Sequence, residues 1–247
     1  MDSISDGKRG ATRITGVGVL DRAMTLLELL ADGPRSLRWL SERSQLPRPT
    51  AHRLLVALEA HGLAARDGSG AFRLGPRLVE LAFRADPSLD LAAHAGPVLA
   101  RLHDETGESV QLYVRSGDKR LCIAARDAGA GLRDSVPVGA LLPLAAGSGG
   151  KVLIAWSADA SRFDAVPAAE VAAIRDRGWA ASVAEREPGV ASVSAPVLRA
   201  DGTIAAALCV SGPVSRLGQA PGRRLSPQVV AAARELAAEL PATGPAR

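Results

Sequence analysis

The residues whose types and spacing could do chemistry are few. Residues 144–153 read LAAGSGGKVL. Glycines ending in a Gly-Lys pair after an apolar run suggest a loop whose amides cradle a phosphate. That loop is spelled G-x-x-x-x-G-K-[ST], the hydroxyl serving magnesium. With Gly150-Lys151 as the Gly-Lys pair, the first glycine falls on Ala145 and the hydroxyl on Val152. Two of four fixed positions fail, the metal ligand among them, and a nucleotide cradle is set aside. The four histidines, 52, 61, 94 and 103, do not share a helical ligand spacing, and neither C-x-x-C nor H-E-x-x-H occurs. Cys209 has no histidine nearby in sequence to activate it. Glu185 and Glu187 alternate as a solvated strand face does. No enzyme activity, metal or cofactor is therefore expected.

The elements that must position any site follow from composition and pattern. The 247 residues suffice for one large domain or two small ones, and 47% are hydrophobic, enough for a substantial core. Aromatics contribute only 3%, so Leu, Val and Ala must pack it. Two cysteines make no disulfide framework and suit a reducing compartment. The N-terminal residues MDSISDGKRG lack the apolar run of a signal peptide. The longest uncharged run, Ser135 to Gly150, is broken by two Pro and four Gly and is too short for a membrane helix. A cytoplasmic protein with no membrane partner is expected. Residues 1–85 hold 13 Lys/Arg against 9 Asp/Glu, and the rest hold 17 against 17. All excess positive charge lies in the first third, which points to a nucleic-acid partner for that part.

The first third reads as three helices and a hairpin. Residues 19–31 place Leu20, Ala23, Met24, Leu27 and Leu30 on one predicted face. Ser36 can cap a short second helix, LRWLSERS. After Leu46-Pro47 a third helix runs from Arg48 to His61, with Ala51, Leu54, Leu55 and Leu58 inward. Its opposite face near the start carries Pro49, Thr50, His52 and Arg53. This is a helix-turn-helix, whose second helix enters the major groove with its first residues at the base edges. Asp67-Gly68-Ser69-Gly70 then turns a hairpin with Arg66 and Arg73 on its arms, a wing able to reach phosphates. The candidate DNA-binding residues are Ser36, Arg48, Pro49, Thr50, His52, Arg53, Arg66 and Arg73.

The stretches LPRPTAHRLLVALEAHG and FRLGPRLVEL resemble the winged helix-turn-helix of the IclR family of bacterial transcriptional regulators, and the resemblance extends from about Gly16 to Leu217. It implies a tail (1–15), a winged helix-turn-helix domain (16–76), a linker helix (77–90), an effector-binding domain (91–240) and a second tail (241–247). It also implies a sequence-specific regulator, more often a repressor, acting as a dimer or tetramer on a pseudo-palindromic operator. An alternative is a metabolite-binding or protein-interaction module whose winged helix serves a protein partner.

Beyond residue 90, hairpins are expected around Ser116-Gly117-Asp118 and around Arg199-Ala200-Asp201-Gly202, and a strand in DSVPVGALLPL. KVLIAW and AAEVAAIRDRG read as helices, and LSPQVVAAARELAAEL as a closing helix capped by Ser226 with Pro227 in its first position. The whole is α+β: an N-terminal winged helix-turn-helix plus a mostly antiparallel sheet with helices on its faces. The resemblance, carried by PVGALLPL, GGK, RGWA, EREPGV and LCVSGPVSRL, implies a GAF/PAS-like domain sensing a small carboxylic or aromatic acid. It places the ligand between the sheet and the helix that follows the glycines, at Leu132, Ser148, Gly149, Val190, Ser192, Cys209 and Ser211. Ala145 stands where the family pattern has His, and Ser182-Val183-Ala184 where acidic residues are frequent.

Overall fold

The computed structural model describes residues 15–85, 91–128, 134–164 and 166–240. The expected tails, apart from Thr15, the end of the expected linker and Leu132 lie outside the described residues. The chain divides into two compact units, Met1–Ala85 and Asp86–Arg247.

The first unit runs α1 (Gly18–Leu30), α2 (Leu37–Ser44), α3 (Arg48–Ala60), β1 (Ala64–Arg66), β2 (Phe72–Leu74) and α4 (Arg77–Ala85). Ser36 caps α2, its hydroxyl accepting the Trp39 amide at 3.2 Å. Gln45 closes α2 in the left-handed region (φ 57°), and Ser41 donates to the Leu46 carbonyl at 2.7 Å, which fixes the turn into α3. Leu26, Leu27, Leu30, Leu40, Leu55, Leu58, Ala64 and Phe72 form the core. The face expected for α1 needs correction. Leu27 and Leu30 are buried and Ala23 packs against the core as expected, but Leu20 and Met24 are 51% and 44% exposed, and Leu26 completes the inner face in their place. Residues 19–31 are apolar at so many positions that two stripes fit the helical period, and only packing chooses between them.

The second unit contains α5 (Leu91–Thr106), β3 (Ser109–Ser116), β4 (Lys119–Arg126), β5 (Leu141–Pro143), α6 (Ser148–Ala155), α7 (Ala168–Arg177), β6 (Ala180–Val183), β7 (Val190–Leu198), β8 (Ile204–Pro213), α8 (Val214–Leu217) and α9 (Gly222–Ala238). The six strands form one sheet in the order β5-β4-β3-β8-β7-β6, every pairing antiparallel. The sheet is covered on both faces. Strand alternation sends Val110, Leu112, Val193, Ala195, Leu208 and Val210 against α5 and α9, and sends Tyr113, Cys122, Ala180, Ala207 and Cys209 toward α6 and α7. This is the α+β architecture expected, with its antiparallel sheet and flanking helices.

Two boundaries differ from expectation. The predicted strand over 134–144 forms only as Leu141–Pro143, because prolines and glycines upstream interrupt the ladder; two isolated bonds, Gly139 N–H to the Cys122 carbonyl and Cys122 N–H to that of Ala140, continue the contact. The last helix starts at Gly222, not near Ser226, so Ser226 is no cap and Pro227 lies inside the helix. Gly222 sits under Trp179, where a Cβ would fall 2.2 Å from the ring, so tertiary packing sets this start.

Candidate nucleic-acid interface and effector pocket

In the first unit, α3 buries Ala51, Leu55 and Leu58 and leaves Arg48, Pro49, His52 and Arg53 exposed, with Thr50 half-buried. Its first turn thus offers two guanidinium groups, an imidazole and a hydroxyl on one side. Ser36 is exposed, and its capping role uses an oxygen lone pair, leaving the O–H to donate. The wing turn is built by Asp67, whose Oδ1 accepts from the amides of Ser69 and Ala71 and from the Ser69 hydroxyl. These bonds, the Ser69 hydroxyl first, hold the Asp67 carboxyl below its ordinary pKa. Arg73 is exposed. Arg66 is engaged within the unit, stacked 4.3 Å over the Phe72 ring and 3.3 Å from Glu59. Arg35, absent from the sequence-derived set, lies 4.7 Å over Trp39 with a buried Nε that has no partner.

In the second unit, Ser148, Gly149, Val190, Ser192, Cys209 and Ser211 all line one cavity between the sheet and the start of α6. Leu132 lies outside the described residues. The polar atoms are tightly linked. The Ser148 hydroxyl lies 2.7 Å from those of both Ser192 and Ser194, and Ser182 joins Ser192 at 3.0 Å. Ser211 donates to Gln111 at 3.1 Å. The free volume is about 10 Å³, room for one water molecule.

The stretch LAAGSGGKVL forms the turn into α6. Gly150 allows the helix to pass the Leu144 carbonyl, whose oxygen a Cβ would meet at 1.9 Å. Lys151 is no phosphate hook. It is 8% exposed, and its ammonium reaches Glu185 at 2.6 Å and Glu170 at 2.9 Å. Burial alone would lower its pKa, but the bonds to Glu185 and Glu170 outweigh that and raise it. Glu185 therefore ties the loop before β7 to α6 and is more than a solvated face.

The helix-turn-helix model of the IclR family matches residues 19–68, and the model of the bacterial transcriptional regulator IclR C-terminal domain matches 84–168 and 167–238. The chain belongs to the IclR family. Such proteins are DNA-binding transcriptional regulators and not enzymes. The chain is 32% identical to the HTH-type transcriptional regulator BhcR of Paracoccus denitrificans, over 93% of this chain and 90% of that one. It is 28% identical to the DNA-binding transcriptional repressor YiaJ of Escherichia coli, over 92% and 89%. An IclR homolog from Microbacterium hydrocarbonoxydans, solved in complex with 4-hydroxybenzoate, superposes with a TM-score of 0.66 at 26% identity, covering 89% of this chain and 96% of that one.

This IclR-family pocket has residues that sequence reasoning missed: Tyr113, Arg120, Asp134, Ser182 and Arg186. Arg186 is paired with Asp134 and, at 3.2 Å, with Glu187. Arg120 is buried, with Nη1 donating to the Pro143 and Ala146 carbonyls and the guanidinium 5.1 Å from the Tyr113 ring. Burial raises the Tyr113 phenol well above its ordinary pKa, so it stays a donor, and lowers that of Arg120. No local motif marks these side chains; strand pairing assembles them. Among the described residues there is no metal-holding cluster and no helix long and apolar enough to cross a membrane.

Proposed function

We propose that this regulator is a cytoplasmic, homo-oligomeric repressor that binds a pseudo-palindromic operator and responds to a small organic acid held in the α6 pocket. The observation that carries the DNA half is the division of α3: apolar residues in the core, Arg48, His52 and Arg53 in solvent at the helix start. Arg48 and Arg53 reach phosphate or a guanine edge, Thr50 and His52 read bases or phosphate, and Pro49 sets the first turn against the groove. Ser36, Arg66 and Arg73 serve the backbone, Arg66 once it leaves Glu59. One protomer presents one recognition helix, so specific binding needs two. The exposed apolar residues Val17, Val19, Leu20 and Met24 of α1 and its approach, and Val79, Leu81 and Phe83 of α4, supply faces for the second copy.

The effector half is supported by the gathering of hydroxyls and α6 amides around one cavity, and by the acid bound to the Microbacterium relative. The test is a gel-shift titration on the DNA upstream of the protein's own gene, at ~0.1 M salt, where phosphate contacts should already help. A shift reversed by an organic acid is expected, and absence of any shift overturns the operator reading. Arg53→Ala should weaken operator binding by roughly 1–3 kcal/mol; unchanged affinity removes Arg53 from the interface.

A further inference from the structure

The cavity beside α6 is shut off from solvent by one segment. Every described residue around it is buried except Arg186, Glu187 and Val190, contributed by the β6–β7 loop and the first residue of β7. Among the described residues, that loop is the wall between cavity and water. Its backbone is loosely held. The Ala184 amide donates to the Val190 carbonyl at 2.8 Å and the Val190 amide to that of Glu187 at 3.2 Å, but the amides of Glu185, Arg186 and Glu187 donate to no backbone carbonyl among the described residues. Side chains tie the loop down instead. The Glu185 carboxylate accepts from Lys151 at 2.6 Å and from the Gly147 amide at 3.3 Å, at the start of α6. Lys151 also pairs with Glu170 of α7 at 2.9 Å. Arg186 turns inward to Asp134, whose side chain is 7% exposed. A loop tied by ion pairs rather than by a ladder can open locally without the sheet beneath it. Its two ends suit that motion. Ala184 (φ 56°) and Gly189 (φ 80°) are both left-handed, a conformation that alanine disfavours and that its surroundings must impose.

We propose that residues 184–189 form a strap across the cavity, latched by Glu185 to Lys151 and Gly147, and that a small molecule enters when this latch releases. Its role in sensing rests on the reading of the cavity as the effector site; the strap itself does not depend on what the effector is. Neither Glu185 nor Lys151 lines the cavity, so the pair governs access without shaping the space inside. The sharing of Lys151 between two carboxylates makes release inexpensive. When Glu185 leaves, the buried ammonium keeps Glu170, so no buried charge is stranded. Glu185 is itself one-third exposed, and water replaces its partners.

The protein carries its own probe of access. Cys209 lines the cavity, whereas Cys122, buried in the same core cluster, does not. The test is the rate at which methyl methanethiolsulfonate, a small uncharged reagent, modifies each thiol of the native full-length protein at pH 8, resolved by peptide mass spectrometry. Glu185→Ala should speed modification of Cys209 at least tenfold and leave Cys122 within twofold of the wild type. A smaller gain at Cys209 in the folded variant overturns the proposal. A gain beyond twofold at Cys122 overturns it as well, because it marks a general loosening rather than an opened wall. If Glu185→Ala does not fold, Lys151→Met removes the same latch from the other side and carries the same expectations. The reagent is no effector, so the two readings fail separately. Unchanged thiol rates leave the effector site standing, and a protein that answers to no small molecule while its Cys209 accelerates keeps the strap and loses the sensor.

Discussion

The two faces of the sheet in the second unit are made by the same strands and do opposite things. On one face β3, β7 and β8 contribute Val110, Leu112, Val193, Leu208 and Val210, packed under α5 and α9. On the other the same strands contribute Gln111, Tyr113, Ser192, Ser194, Cys209 and Ser211, each buried and mostly hydrogen-bonded to one another or to Ser148. Each residue of one set is a sequence neighbour of a residue of the other. The period-two alternation thus lets a strand give every second position to the apolar core and the rest to the hydrogen-bonded lining of the cavity. The apolar face gains from area removed from water. The polar face gains little from burial, because its hydrogen bonds replace those to water nearly one for one.

This contrast can be broken at adjacent residues. The largest effect is expected on the apolar face. Leu208→Ala empties a fully buried site and should lower stability by about 2–5 kcal/mol in urea denaturation. Acid binding by the molecules that remain folded should persist. Across the sheet, Ser194→Ala removes one hydroxyl 2.7 Å from Ser148 and should cost about 1 kcal/mol by the same measurement. A loss equal to that of Leu208→Ala would mean that the polar face holds the fold as firmly as the other. The smallest expected signal is chemical. Burial pushes the Cys122 thiol up to about 12 and raises Cys209 as well, so both stay protonated at neutral and mildly alkaline pH. Neither should react with a disulfide reagent at pH 8 in the native protein, and both should react in denaturant. Rapid native reaction of Cys209 would show the polar face open to solvent much of the time.

How much of this is legible in the sequence depends on how local each signal is. The helix pair is legible because capping by Ser36, the turn at Leu46-Pro47 and the stripe Ala51-Leu55-Leu58 are all short-range. The six described residues expected at the pocket are found around one cavity because the family motifs lie on the strand ends and the α6 turn. Arg120 and Tyr113 carried no such mark. They meet across the β3–β4 pairing, where a register shift between Leu112 and Tyr113 offsets the two strands. Nothing within a few residues of either foretells a long-range irregularity of this kind. Arg186 and Asp134 are joined across 52 residues of sequence and were equally silent. In α1 the signal was present but degenerate, since a run rich in Leu, Val and Ala fits two helical faces.

The cavity beneath α6 has space for a single water. If the pocket takes an acid the size of the 4-hydroxybenzoate bound to the Microbacterium relative, the side chains around it must first adopt a roomier arrangement than the one described. Ligand affinity is then a product of two factors, the intrinsic grip and the fraction of molecules already open. If about 1% are open, the measured dissociation constant is about a hundredfold weaker than the intrinsic one. Substitutions remote from any ligand atom, such as those that loosen Lys151 from Glu185, would then tune the sensitivity of the regulator by changing how often the site is available.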